Sequence, residues 1–295
     1  MKNNNKIIKY LFFFLIFVIQ SRFCQEEIVK DENYCWGEKF NNETLYVSTD
    51  TLQFQNGIPS EEIVIPKIFH QIWIDFGKGK KIPEHFEKNT KRLLELHPGW
   101  EYKFWTEDDL DKLIEEHAND FLQIWRQYDK KIKKHDSSRP VILNLFGGVY
   151  LDHDFIPIKN IERLLCNNTF VISTEDKNCM RIGNAFIGSI PKHPILREMI
   201  NEMNQEVNAK KDVLMSTGPM IWTWTIQKFL VNNNQAGKGF TIYSPKYLYP
   251  LSHNRGSDFS NYKFETIDLI KDEFPDCYLF QQFASTWWPN NLPSI

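Results

Sequence analysis

HDSSRPVILNLFGGVYLDHDF, residues 135–155, organises the rest of the chain. Gly147 and Gly148 break an apolar run, and residues 149–155 then alternate as a strand does. Strand side chains point to opposite faces with period two, so Tyr150, Asp152 and Asp154 share one face. Val149, Leu151 and Phe155 share the other, which is apolar enough to pack on a core, and His153 falls there where the strand is running out. Two carboxylates at a strand end make a hard-oxygen site for a divalent cation, which completes its shell with water and substrate phosphates. Upstream, the i,i+3 spacing of Asp136 and Arg139 sets acid and guanidinium side by side on a helix. Each part has a plainer reading: the D-x-D as a solvated turn, the Asp136–Arg139 pair as a helix N-cap with an ion pair. The joint spacing of D-x-x-R, an apolar run and G-G-x-Y-x-D-x-D is the specific feature.

The 295 residues allow one large domain or two small ones. Hydrophobic residues at 42% and aromatics at 15% supply a core. A net charge of -3 gives no basic footprint, so no nucleic-acid partner is expected. Lys2, Lys6 and Lys9 precede an apolar run over 11–19, shorter than the roughly 20 residues a bilayer span needs. Residues 1–24 therefore read as a secretory signal peptide, although Ser21 and Cys24 offer no clean A-x-A cleavage site. The alternative is an uncleaved signal-anchor that would tie the chain to a membrane. Residues 25–62 lack periodicity and read as a stem, and 63–295 as one compact domain. Sequons at Asn42 and Asn167 agree with a secretory route. Five cysteines are present (Cys24, Cys35, Cys166, Cys179 and Cys277). If Cys24 leaves with the signal, the remaining four allow three pairings, and structural disulfides are the expected role, with free buried thiols the alternative.

Strands are predicted at 64–73, 100–105, 170–174, 184–189, 240–243 and 277–283. Helices are predicted at 83–97 behind Pro83, from a Thr106/Asp109 capping box to about 134, around Asp136, and at 194–207 and 217–230. Strands alternating with helices predict an α/β domain with a mostly parallel central sheet, whose ligands sit beyond the strand carboxyl ends. The basic run Lys130, Lys131, Lys133, Lys134 and His135 reads as a solvated helix end, or more sharply as an attractor for an anionic acceptor.

The composite motif resembles the DXD sugar-transferase signature of glycosyltransferase family 32, including its Golgi α-1,6-mannosyltransferases. It is also similar, more distantly, to the catalytic domains of the clostridial glucosylating toxins. The resemblance covers roughly 65–288 and implies a single glycosyltransferase-A-like domain. It implies that Asp152 and Asp154 hold Mn²⁺ or Mg²⁺ on the donor pyrophosphate, with Tyr150 beside them in the donor site. Asp136 would hold sugar hydroxyls, and the planar fork of Arg139 would hold donor phosphate or sugar oxygens. Trp73, just after the first strand, would stack on the nucleobase, against the plainer reading of a core tryptophan. Asn184 would approach the transferred sugar and Thr217-Gly218-Pro219 the acceptor, against the plainer readings of a strand end and a helix cap. Trp287, in QQFASTWW at 281–288, matches the family's ending, but Gln281 and Gln282 stand where histidine is usual. Pro140 also departs from the family pattern; it is harmless in a first helical turn and would kink the site if deeper.

The activity so implied is retaining, metal-dependent transfer of a hexose to a glycan or glycolipid. The donor would be GDP-mannose, or a UDP-sugar carrying galactose, glucose or N-acetylglucosamine. No dedicated base is nominated, because in such enzymes an oxygen of the leaving phosphate helps deprotonate the acceptor on the same face. No apolar span lies near the C-terminus of the sequence, which favours a glycan acceptor over a membrane lipid. The expected compartment is the secretory pathway, in the Golgi lumen or secreted. Two rivals remain: a carbohydrate-binding pseudo-transferase, favoured by Pro140 and the Gln281-Gln282 pair, and a sugar-nucleotide hydrolase with water as acceptor. No G-x-S-x-G, P-loop, H-E-x-x-H or G-x-G-x-x-G is present to support other enzyme classes.

Overall fold

The computed structural model describes residues 47–48, 63–75, 81–175, 181–232, 239–251 and 262–284, all within one unit spanning 35–295. The N-terminal apolar run, Asn42, Cys24, Cys35, Cys179 and Trp287 lie outside the described residues. In chain order the strands are β1 (Val47–Ser48), β2 (Ile68–Ile72), β3 (Glu101–Trp105), β4 (Gly148–Leu151), β5 (Phe155–Pro157), β6 (Phe170–Thr174), β7 (Ile182–Ser189), β8 (Phe240–Tyr243) and β9 (Leu279–Gln281). The longer helices are α1 (Glu84–Leu96), α2 (Glu107–His117), α3 (Asn119–Gln127), α4 (Lys131–Phe146), α5 (Pro194–Met203), α6 (Pro219–Asn232) and α7 (Ile267–Glu273).

Seven strands form one sheet in the order β1-β8-β6-β7-β4-β2-β3. The pairs β1–β8, β8–β6, β4–β2 and β2–β3 are parallel, while β7 is antiparallel to both β6 and β4. Only β7 is therefore reversed, and the expected α/β fold with a mostly parallel sheet holds. The alternation in β4 divides its side chains between two cores. Tyr150 packs with Ile142, Trp125, Ile187 and Trp222 under the helices on one face. Val149, Leu151 and Phe155 pack with Phe69, Leu93, Val171 and Phe186 on the other. β5 and β9 make a separate antiparallel pair.

Local chemistry sets the boundaries. Thr106 and Asp109 form the expected capping box, each side chain bonding the other's backbone N–H at 3.2 and 2.9 Å. α4 stops where Gly147 (φ 64°) and Gly148 (φ 94°) enter a region closed to most side chains. A Cβ on Gly148 would also lie 2.6 Å from the Ile68 carbonyl oxygen, so the crossing of α4 into β4 needs glycine twice over.

Four expectations need correction. The strand predicted over 149–155 ends at Leu151, and the chain resumes as β5 only at Phe155. The helix predicted over 194–207 stops at Met203. Cys277 is a buried free thiol and not half of a disulfide; burial pushes it up to about 12. The basic run is a solvated helix end only at Lys130 and Lys131, which are exposed; the rest of it turns inward. Lys133 is buried and donates to the Ala209 and Lys211 carbonyls, Lys131 pairs with Glu107, and Lys134 pairs with Asp111. Among the described residues no helix is long and apolar enough to cross a membrane.

Candidate active site

Because β2, β3, β4, β6 and β8 run the same way, their carboxyl ends share one edge of the sheet, and the reversed β7 begins there. Trp73 follows β2, Asp152 and Asp154 follow β4, and Asn184 lies near the start of β7. α4 delivers Asp136 and Arg139 to the same place.

Arg139 is the hub. Its Nη2 lies 2.8 Å from Asp136 Oδ1 and 3.1 Å from Asp152 Oδ1. Its Nη1 donates to the Asn184 carbonyl at 2.6 Å, and its guanidinium lies 4.7 Å over the Tyr150 ring. The Tyr150 hydroxyl donates to Asp152 Oδ1. Arg139 and Asp136 are only 3% and 5% exposed. Burial opposes the guanidinium charge, but Asp152, Tyr150 and Asp136 outweigh it and hold Arg139 protonated. Five of the predicted residues thus form one hydrogen-bonded cluster.

Asp136 is not an N-cap, since α4 begins at Lys131, and Pro140 sits well inside the helix. Proline there leaves the Asp136 carbonyl without its helical donor. In the preceding turn the Ser137 and Ser138 hydroxyls donate to the Lys134 and His135 carbonyls. The Asp136–Arg139 pair nevertheless closes at 2.8 Å, so Pro140 does not dismantle the site.

The D-x-D is a turn, and Tyr150, Asp152 and Asp154 do not share a face of one strand. Asp152 still donates its N–H to the Ala185 carbonyl at 2.9 Å, after which the chain turns through His153 into β5. Asp154 Oδ2 accepts the Ala284 N–H at 2.9 Å, while Asp154 Oδ1 is buried without a partner. Burial and then the Asp152 charge raise the Asp154 carboxyl to about 6, with the Ala284 N–H and Gln281 moderating the rise. An unpartnered carboxylate oxygen beside a second carboxylate is the chemistry a divalent cation relieves, so the donor set fits one. Among the described residues no group of three His, Cys, Asp or Glu side chains forms a ready-made cage. Asp152 and Asp154 would therefore leave places for water and phosphate oxygens.

Trp73 is half-buried. Its ring meets Phe86 at 6.3 Å and His153 at 5.9 Å, both edge-on, and lines a cleft of about 590 Å³ with Lys81, Glu87 and Thr106. His153 is caged by these rings and Phe104. Burial, with His135 nearby, lowers its imidazole to about 3. Asn184 is buried, with Nδ2 3.4 Å from the Thr217 carbonyl. The C-terminal stretch does reach the site: Gln281 lies in β9 opposite Phe155, and Gln282 donates its N–H to the Asp154 carbonyl at 3.0 Å.

Sequence reasoning missed Tyr249, Glu175 and Arg181. They lie after β8, after β6 and before β7, in no recognisable motif, and only the shared sheet edge gathers them. Among the described residues, six buried side-chain polar atoms without a hydrogen-bond partner lie at this edge: Arg139 Nε, His153 Nε2, Asp154 Oδ1, Thr217 Oγ1, Tyr249 OH and Gln281 Oε1. Buried polar groups are nearly always paired, so this is where water, an ion or a polar ligand would supply missing partners.

The family described as "Glycosyltransferase sugar-binding region containing DXD motif" matches residues 83–171. Inositol phosphoceramide mannosyltransferase 1 of Schizosaccharomyces pombe is 28% identical over 205 residues, 67% of this chain and 61% of its own length. An uncharacterised glycosyltransferase of Acanthamoeba polyphaga mimivirus is 27% identical over 231 residues, 77% of this chain and 85% of its own. A mannosyl phosphorylinositol ceramide synthase of Saccharomyces cerevisiae is 30% identical over 182 residues, 58% of this chain and 46% of its own. The chain thus spans about half to three-fifths of the two yeast relatives. Among solved structures, the PaToxG glycosyltransferase superposes with a TM-score of 0.46 at 18% identity, covering 58% of this chain and 73% of that one.

Proposed function

We propose that this chain is a glycosyltransferase that transfers mannose from GDP-mannose to a glycolipid headgroup of the inositol-phosphoceramide type, with retention of configuration. The observation that carries the reading is the sheet edge where Asp152, Asp154, Arg139 and Asp136 meet six unpartnered buried polar atoms. The names of the two yeast relatives favour mannose over a UDP-hexose and a glycolipid over a soluble glycan. Compartment follows from the leader and the sequons, which support the secretory pathway.

Asp152 and Asp154 would hold the cation, Mn²⁺ or Mg²⁺, which when bound neutralises charge developing on the leaving diphosphate. Tyr150 and Arg139 fix the rotamer of Asp152 before any ligand arrives, which is the preorganisation electrostatic catalysis requires. Asp136 anchors Arg139 from below, so the guanidinium cannot swing away from the carboxylates. Trp73, half-buried just after β2, would stack on a planar base.

The test is a transfer assay with GDP-mannose and UDP-hexoses against vesicles containing inositol phosphoceramide, against soluble mannosides and against water alone. Mannosylated lipid formed only with added divalent cation is the expected product. Nucleotide-sugar cleavage without transfer would instead make the chain a hydrolase, and no reaction with any donor would make it a binding protein.

A further inference from the structure

Tyr249 belongs to no motif, yet it stands at the same sheet edge and its role there is legible in the packing. The residue is 1% exposed, and among the described residues its hydroxyl has no hydrogen-bond partner. Leaving a buried hydroxyl unpaired is destabilising, so the phenol is kept for something other than packing, which phenylalanine would do better. Its ring is held edge-on against Phe155 at 5.5 Å, and its backbone by the turn after β8. Burial first, then the Glu175, Asp152 and Asp154 charges, keep the phenol protonated; it is a donor with nothing to donate to.

Gly183 supports this independently. Its φ is not positive, so β7 does not need glycine there for its backbone. What glycine supplies is room for the phenol itself: a Cβ would lie 2.8 Å from the Tyr249 hydroxyl and 3.2 Å from Glu175 Cβ. The strand is cut back to seat the buried hydroxyl, one residue before Asn184.

The order of the strands says which part of a ligand it meets. Along the edge, Trp73 and its cleft belong to the β2–β3 side, the carboxylate turn to β4, and Gly183, Asn184, Glu175 and Tyr249 to the β7, β6 and β8 side. A nucleotide sugar with its base at Trp73 and its diphosphate at Asp152 and Asp154 has only the β7–β8 side left for its sugar. We propose that the Tyr249 hydroxyl donates a hydrogen bond to an oxygen of the transferred sugar, beside Gly183. This rests on the nucleotide-sugar reading above and adds a sugar-recognising residue that neither the D-x-D nor the D-x-x-R reveals.

The experiment uses the full chain and Tyr249→Phe, which removes one oxygen and keeps the ring. Calorimetric titrations with Mn²⁺ compare GDP with GDP-mannose, and UDP with UDP-glucose, beside urea melts and steady-state transfer. The expected result is unchanged binding of the nucleoside diphosphate, a roughly 3–10-fold loss of nucleotide-sugar affinity or kcat/KM, and equal or higher folding stability. Gly183→Ala, which keeps the phenol but crowds it, should show the same sugar-selective loss. Equal weakening of nucleoside diphosphate and nucleotide sugar would place the hydroxyl on the phosphates and overturn the assignment. Lower stability with unchanged kinetics would make it structural and overturn it as well. A wild-type chain that binds no nucleotide sugar would overturn the transferase reading itself, and this assignment with it.

Discussion

Burial and the Asp152 charge raise the Asp154 carboxyl from its ordinary 3.8 to about 6, so in the metal-free protein the fold opposes its ionisation. A group whose pKa is raised on folding stabilises the folded state below its unfolded value, and that contribution is lost as pH rises through the folded one. The metal-free protein should therefore lose stability at this residue between about pH 4 and 6, by up to roughly 3 kcal/mol. Asp154→Asn, neutral at every pH, should remove that part of the pH dependence; urea melts of both proteins at pH 5 and 7.5 check it. Divalent-cation affinity should move the other way, falling as protons compete below about pH 6. Trp73 poses a different question at the same scale. A half-exposed platform predicts that Trp73→Ala lowers nucleotide affinity by about 1–3 kcal/mol. A core role would instead cost roughly 3–5 kcal/mol of stability. Denaturant melts and donor titrations on one mutant protein separate the two.

Among the elements, the α4–β4 crossing was legible because glycine and capping chemistry act locally. Gly147-Gly148 marks the break, and the structure shows why: positive φ at both residues and the Ile68 carbonyl against the second. Gly148→Ala should cost about 1–3 kcal/mol in a urea melt, since the strained backbone and the close approach cannot both relax. The end of β4 was not legible. Period-two alternation runs through 149–155 in the sequence, but β5 pairs with β9, more than 120 residues away, and that pairing takes the chain out of the sheet at Asp152. No local pattern carries a partner so distant. The same limit hid the use of the basic run, whose lysines answer Glu107, Asp111 and two carbonyls after α5.

Across the whole molecule, parallel strands do what a motif cannot. They bring Trp73, Asp152, Asn184 and Tyr249, spread over 177 positions of sequence, to one edge. The residues found from sequence, Asp136, Arg139, Tyr150, Asp152 and Asn184, share a compact spacing or a family likeness. Tyr249 and Glu175 share neither and needed the sheet order. The central claim is that Asp152 and Asp154 hold a divalent cation on a nucleotide sugar, and titration of GDP-mannose into wild type and Asp154→Asn, with and without Mn²⁺, tests it most directly. The account predicts Mn²⁺-dependent binding by the wild type and its loss in a folded, equally or more stable mutant. Equal, Mn²⁺-independent binding by both proteins would contradict it.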